Sequence, residues 1–363
     1  MLNLKDVRSF APRCGGTTVV SALAMAFAVI FASGMAHGQN FQLIHTFVGP
    51  EGAQPVAGVV FDRGGKLYGS VLAGHSGSNW GGVYQMRRAG TGWVFNTLYI
   101  FDGTLQSRPV FGPEGLLYGT SPNNLTGYPY GYLYNLRPAV NACTAALCPW
   151  NFTWMYGFLG GADGGTPRYG DLTFDQAGNM YGTGSLGGDA NSDGVVFKAV
   201  NSGGNWIESA IYTFSGTPDG SHPFAGVVLD SAGNLWGTTT AGGTSGNGTV
   251  FELTPNGGGW TEHVIYSFSG SNDGGCPVGG LTFDGAGSLY GTTKCDGANG
   301  FGSVFKLSPN GGGWSYTSLY DFTAGNDGKF PYGNVTFDSS GNIFGTASFG
   351  GQHNAGTVWE ITP

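Results

Sequence analysis

Apolar positions come in short runs, rich in aromatic and β-branched residues and bounded by Gly, Asn, Asp and Pro. Such runs read as strands, and beyond the first 36 residues no stretch carries the 3.6-residue apolar period of a helix. One tetrapeptide recurs: LYGS at Leu67, LYGT at Leu117, MYGT at Met180, LWGT at Leu235, LYGT at Leu289 and IFGT at Ile343. Its aromatics, Tyr68, Tyr118, Tyr181, Trp236, Tyr290 and Phe344, stand 50, 63, 55, 54 and 54 residues apart. A period of that size indicates a repeat architecture. In the fourth unit the strands are PFAGVVLD from Pro223, NLWGTT from Asn234, GTVFELT from Gly248 and WTEHVIYSF from Trp260. Four antiparallel strands per unit describe a propeller blade, so the expected fold is all-β, a six-bladed β-propeller of four-stranded antiparallel blades.

The two ends of the chain predict how the ring closes. The last unit has three strands, at Pro331, Asn342 and Gly356, while FQLIHTF from Phe41 aligns with the VIYSF strand of the complete units. An N-terminal strand paired into the last blade seals the ring and removes its exposed edges. Turn chemistry accounts for much of the remaining repetition. D-x-x-G lies between first and second strands at Asp62, Asp175, Asp230, Asp284 and Asp338, where Asp accepts turn amides and Gly takes the positive φ. One carboxylate per blade at the same hairpin is a folding device before it is a catalytic group. The Asp-Gly pairs at Asp102, Asp163, Asp219, Asp273 and Asp327 belong to the loops between blades and read the same way.

Composition supports this picture. Seventy glycines, 14% aromatic and 10% charged residues suit many tight turns joined by aromatic strands. Residues 1–36 stand apart: Lys5, Arg8 and Arg13 precede the apolar run TTVVSALAMAFAVIFASGMA, with small residues offering cleavage after Ala36 or Gly38. This is the pattern of a secretory signal peptide, with a retained membrane anchor as the competing reading. The expected mature chain is one domain, 37–363, with no further hydrophobic span. It keeps 11 Lys/Arg against 21 Asp/Glu, a net charge near −10 that argues against nucleic acid and anionic membranes as partners.

The strings DGGCPVGGLTFDGAGSLYGTT from Asp273 and GTVFELTPNGGGWTEHVIYSFSG from Gly248 carry a family likeness. They closely resemble the repeat of the bacterial choice-of-anchor tandem repeat GloVer-containing proteins, the Gloeobacter/Verrucomicrobia-type repeat. The resemblance extends over essentially all of the chain beyond the leader. It implies an extracytoplasmic bacterial propeller and no established activity or catalytic residues. Members often end in an anchoring segment, whereas this chain ends at Ile361, Thr362 and Pro363, so a monomer released to periplasm or medium is expected.

Four cysteines follow the leader, an even number that suits disulfides in an exported protein. Cys276 precedes the first strand of blade five and Cys295 follows the second, so the two should face each other across the hairpin and a disulfide is expected between them. Cys143 and Cys148 lie in LRPAVNACTAALCPWNF, an insertion in unit two that a bridge would pin. Zinc is the alternative, but the spacing fits no common zinc pattern. Asp189, Asn191 and Asp193 before Gly194 match the first half of a calcium loop, while the second half lacks its carboxylate, so a polar loop without metal is favoured and no cofactor is expected.

Candidate binding residues are those that break the repeat. The loop face carries His75, Trp80, Tyr128, Tyr130, Phe301 and His353 within blades, with His222 and Lys329 between them. Aromatics with scattered polar groups suit sugar stacking or a protein partner. The opposite, tight-hairpin face is monotonous, with NGGGW at Asn256 and Asn310. In the inner strands Arg108 stands where unit one has Gly58, and Arg168 and Asp171 sit in a strand one residue longer than its counterparts. They form either an anionic-ligand site or an Arg to Asp pair that closes the channel. No GxSxG elbow, HExxH helix or phosphate loop occurs in a supporting context. Three readings follow: a non-catalytic propeller binding glycan or protein, a propeller lyase, glycosidase or lactonase using the channel charges, and a purely structural envelope protein.

Overall fold

A computed structural model describes residues 44, 45, 47, 51–55, 57–75, 80–122, 128–139, 150–352, 354 and 356–362. They form six consecutive antiparallel sheets arranged as a six-bladed β-propeller. Five sheets have four strands, each pairing with the next in chain order, and the sixth has three among the described residues. Blade four is representative, with strands Val228–Leu229, Leu235–Thr239, Thr249–Pro255 and Trp260–Ser267.

The recurring tetrapeptide is explained residue by residue. In LWGT of blade four, Leu235 is buried in the core shared with blade three, and Trp236 turns toward blade five, where its ring meets Phe283 at 5.7 Å and Trp314 at 5.4 Å. Gly237 faces Phe251, whose ring would lie 2.5 Å from an added Cβ, so no side chain fits there. The Thr238 hydroxyl crosses to blade five and donates to the Gly279 carbonyl at 3.1 Å. The same crossing recurs from Ser70 to Ser107, from Thr183 to Ala225 and from Thr292 to Gly333.

The turn aspartates and the tetrapeptide aromatics prove to be one device. Asp62 Oδ1 accepts the amides of Gly64 and Lys66 at 2.8 and 2.9 Å, while its Oδ2 accepts the Tyr68 hydroxyl at 3.1 Å. Asp175 takes Tyr181, Asp230 takes the Trp236 indole N–H and Asp284 takes Tyr290. Blade two has no aspartate at this turn, and Glu114 accepts the Tyr118 hydroxyl instead. Between blades, Asp163, Asp219, Asp273 and Asp327 each accept a loop amide and the hydroxyl of Tyr156, Tyr212, Tyr266 or Tyr320.

The hydrophobic interior is divided accordingly, each cluster lying between two successive blades. The inner strands are shorter than the sequence suggests, with only two residues of each in sheet pairing. Their preceding residues leave the sheet to pack backbone on backbone around the channel. A Cβ on Gly226 would come within 2.0 Å of the Asp171 carbonyl oxygen, so glycine alone permits that approach.

The junction between blades six and one differs from the other five. Val358 is 78% exposed, whereas its counterpart Val250 is fully buried, and Phe61 on blade one is 56% exposed. His45 and Phe47 nevertheless pack on blade one: His45 stacks on Phe95 at 4.5 Å and Phe47 meets Tyr84 at 5.2 Å. Tyr99 and Phe101 sit the same way on Phe152 and Tyr134 of blade two. Residues 45 and 47 thus hold, toward blade one, the place of a fourth strand of the last blade. The expected pairing partner from Phe41 to Leu43 lies outside the described residues, as does the leader.

Two stability predictions follow from the shared cores. Phe251 is fully buried against Phe214 at 5.1 Å, so Phe251→Ala is expected to cost about 3–5 kcal/mol and Phe61→Ala under about 1 kcal/mol in denaturant unfolding. Equal costs would show that the blade cores do not hold the ring. The second concerns pH. Burial pushes the Glu208 carboxyl up to about 8, a Tyr156 hydrogen bond pulling back and the Asp163 charge adding to the rise, and burial beside Asp219 brings Glu262 to about 7. A carboxyl raised above its ordinary 4.5 contributes stability that is full below that value and is lost as pH rises through its folded pKa. The melting temperature should therefore fall between about pH 5 and pH 9, and Glu208→Gln with Glu262→Gln should flatten that slope. An unchanged slope would remove these two groups as its cause.

Candidate functional site

A cavity of ≈ 920 Å³, to which all six blades contribute, runs from the inner strands to the junction between blades six and one, where Phe61, Phe344 and Val358 line it. It is lined on blade one by Pro55, Ala57, Gly58, Val59 and Phe61, on blades two and three by Gln106, Arg108, Tyr169 and Asp171, and on blades five and six by Thr282, Tyr332 and Asn334. Most of this wall is backbone and small or apolar side chain. Its polar groups are few, and that combination fits a small-molecule site.

Arg108 reaches across the inner wall over Gly58, whose added Cβ would sit 3.4 Å from the arginine Cδ. Its Nη2 meets Asp171 Oδ2 at 2.7 Å, joining blades two and three. Burial pushes the Asp171 carboxyl upward, and the Arg108 charge and hydrogen bonds pull it back. The pair does not fill the channel, because both residues still line the cavity. Arg168 takes no part in it. Its guanidinium lies over the Phe224 ring of blade four at 5.4 Å. Tyr169 and Tyr332 face one another from blades three and six with ring centroids 6.1 Å apart. Neither tyrosine was singled out by its sequence, since each occupies an ordinary inner-strand position and only the ring brings them together.

The loop-face residues are more dispersed. Trp80 and Tyr130 are exposed on blades one and two. Tyr128 is half-buried against Trp154 at 5.1 Å, and His222, half-buried at φ 55°, places Nδ1 3.0 Å from the Ser185 carbonyl. Lys329 lies over Phe301 and Phe330 at 6.0 and 5.5 Å. None of these lines the channel cavity. The His75 side chain, His353, Cys143 and Cys148 lie outside the described residues.

The calcium-like string folds as a turn. Asp189 Oδ1 accepts the amides of Asn191 and Ser192 at 2.9 and 3.1 Å. Burial and the neighbouring Asp189 charge push the Asp193 carboxyl upward. Among the described residues no group of three or more His, Cys, Asp or Glu is placed to hold a metal ion.

Cys276 and Cys295 are free thiols in contact. Gly275, not Cys276, pairs with Cys295, through N–H to O bonds of 2.9 and 3.0 Å. Cys276 takes φ 51°, which turns its side chain back toward Cys295. Blade six repeats this geometry with Phe330 at φ 56° touching Phe349, their rings 6.4 Å apart. The hydrogen bond from Cys276 stabilises the Cys295 thiolate and brings its pKa to about 7, while that bond and burial push Cys276 upward.

On the tight-hairpin side a second cavity of ≈ 890 Å³ opens between blades one, two and three, with Tyr68, Phe111, Trp150 and Phe174 among its walls. The sequence reading treats that face as monotonous. The cavity arises where three hairpins diverge, which no single repeat records. Its turn carboxylates Asp62 and Asp175 already cap their own hairpins.

Solved structures similar to this chain share its fold. A putative oxidoreductase (glucose dehydrogenase) of Thermus thermophilus is 15% identical with TM-score 0.50, covering 82% of this chain and 91% of its own. An α-L-arabinanase of Penicillium chrysogenum is 13% identical with TM-score 0.49, covering 87% and 94%. PorZ, a surface component of the type-IX secretion system of Porphyromonas gingivalis, is 14% identical with TM-score 0.45; 79% of this chain aligns with 38% of that one. At such identities the likeness concerns the fold alone, and no curated protein matches by sequence. Residues 172–363, more than half the chain, match the profile of the Gloeobacter/Verrucomicrobia repeat, and the protein belongs to that family.

Proposed function

We propose that this protein is an exported, non-catalytic propeller that binds a saccharide in its central channel, after removal of residues 1–36. The observation that carries the reading is the ≈ 920 Å³ cavity with Tyr169, Tyr332, Gln106 and Asn334 on its wall. Aromatic faces and amide or hydroxyl groups in a concave wall suit a ring with many hydroxyls. A glycosidase needs two carboxyl groups flanking the bond. Among the described lining residues Asp171 is the only carboxylate, and it is tied to Arg108. A protein partner would instead use the loop face around Trp80 and Tyr130.

The test is calorimetric titration of the mature protein with a panel of neutral and acidic oligosaccharides. Tyr169→Ala and Tyr332→Ala should each weaken binding at least about tenfold without lowering the melting temperature by more than a few degrees, as expected for a lost stacking surface. Trp80→Ala with Tyr130→Ala should leave it unchanged. The reverse pattern would move the site to the loop face, and turnover of any oligosaccharide would replace binding with catalysis.

Export also brings the Cys276 and Cys295 thiols to an oxidising compartment, where a dithiol passes two electrons and two protons to a disulfide donor. The expected result is that peptides carrying these residues take up no iodoacetamide unless the protein is first reduced. Full labelling without reductant would refute the bridge.

A further inference from the structure

Two cations, Arg168 and Lys294, have no carboxylate partner among the described residues. Ion pairs among the described residues are His45 with Glu51, Arg108 with Asp171 and Lys306 with Asp284, so neither Arg168 nor Lys294 has a carboxylate within salt-bridge distance. That is notable in a chain with 22 acidic and 14 basic residues. Carboxylates elsewhere in the ring are engaged in caps, such as Asp163 on Tyr156 and Asp273 on Tyr266.

Both cations lie against aromatic side chains, and Lys294 also donates a hydrogen bond to the Tyr332 hydroxyl. The Arg168 guanidinium lies 5.4 Å from the Phe224 centroid, and the Lys294 ammonium lies 5.1 Å from the Tyr332 centroid. Tyr332 in turn faces Tyr169, the residue after Arg168. Contacts link Lys294 to Tyr332 and Tyr332 to Tyr169, chain succession links Tyr169 to Arg168, and Arg168 lies over Phe224; this collar is drawn from blades three to six, and its two tyrosines line the cavity. A ring beneath a cation fixes its position and leaves its remaining donors facing away from the ring. Arg168 Nε is buried and has no acceptor among the described residues. Such a donor, like Arg108 Nε on the neighbouring inner strand, is satisfied by an acceptor from water or a ligand.

We infer that this collar selects a saccharide bearing an anionic substituent, a carboxylate or a sulfate ester, whose charge sits between Arg168 and Lys294 while its ring stacks at Tyr169 and Tyr332. The inference rests on the saccharide reading above. Guanidinium matches both anions through paired N–H donors, and ammonium adds a second charge without fixed geometry. Arg108 is already committed to Asp171 and takes no part.

Calorimetry on the mature protein separates the possibilities with four probes: an oligogalacturonate, its methyl ester, a sulfated galacto-oligosaccharide and a neutral cello-oligosaccharide. The expected result is binding of the oligogalacturonate or the sulfated probe at least about tenfold tighter than the ester or the neutral sugar, weakening as salt is raised. Arg168→Gln and Lys294→Gln should each remove about tenfold of that preference, with Arg168→Lys restoring part of it and melting curves confirming folded variants. Preference for the uronate probe identifies carboxylate as the anion, and preference for the sulfated probe identifies the ester. Equal binding of acid and methyl ester, unchanged by either Gln variant, would overturn the inference and leave the saccharide reading standing. Absence of binding to all four probes would overturn both.

Discussion

The ring depends on one contact that recurs at five of its six junctions among the described residues, an aromatic side chain of one blade laid on the next. Tyr68 meets Phe111, Tyr118 meets Phe174, Trp236 meets Phe283 and Tyr290 meets Phe337, each with centroids between 4.9 and 5.7 Å. A tryptophan opening the next blade's outer strand closes over the same ring, as Trp206 does on Tyr118 and Trp260 on Tyr181. An aromatic pair adds on the order of 1 kcal/mol beyond its buried area. The turn aspartates anchor the free edge of these rings, so backbone turn and blade packing stabilise one another.

This arrangement explains how far the sequence could be read. Strands, blade number and turn positions were legible because each is local and repeats about every 54 residues. The bond from Asp175 to Tyr181 was implicit in two separate repeats, but joining them required knowing which side of the hairpin each faces. The brevity of the inner strands was not legible, because Gly226 and its counterparts answer to a neighbouring blade. The same holds for the candidate site. Arg108 and Asp171 stood out as departures from the repeat, and they meet at 2.7 Å. Tyr169 and Tyr332 lie 163 positions apart and acquire meaning only when the ring places blades three and six across a common channel.

Charge is distributed by the same logic. Glycine and small residues dominate the hairpins, acidic groups serve as caps, and the scarce cations lie over rings: Lys198 on Tyr181, Lys306 on Tyr290, Lys294 on Tyr332 and Arg168 on Phe224. Lys306 and Lys198 stack on tetrapeptide aromatics, where they cover the packing that joins blades. Arg168 and Lys294 stack near the channel, where the same contact leaves their donors available. One physical device thus serves stability at one radius of the ring and, in the proposed site, recognition at another.

The close approach of the inner strands has an evolutionary consequence. Where Gly226 admits no side chain beside Asp171, the channel wall is backbone and cannot vary without prising blades apart. Variation is left to the residue after each inner proline, here Arg168, Phe224, Val278 and Tyr332. Those positions project from a frame that does not depend on them. Substitution at one of these positions changes what that position presents and leaves the backbone frame as it is.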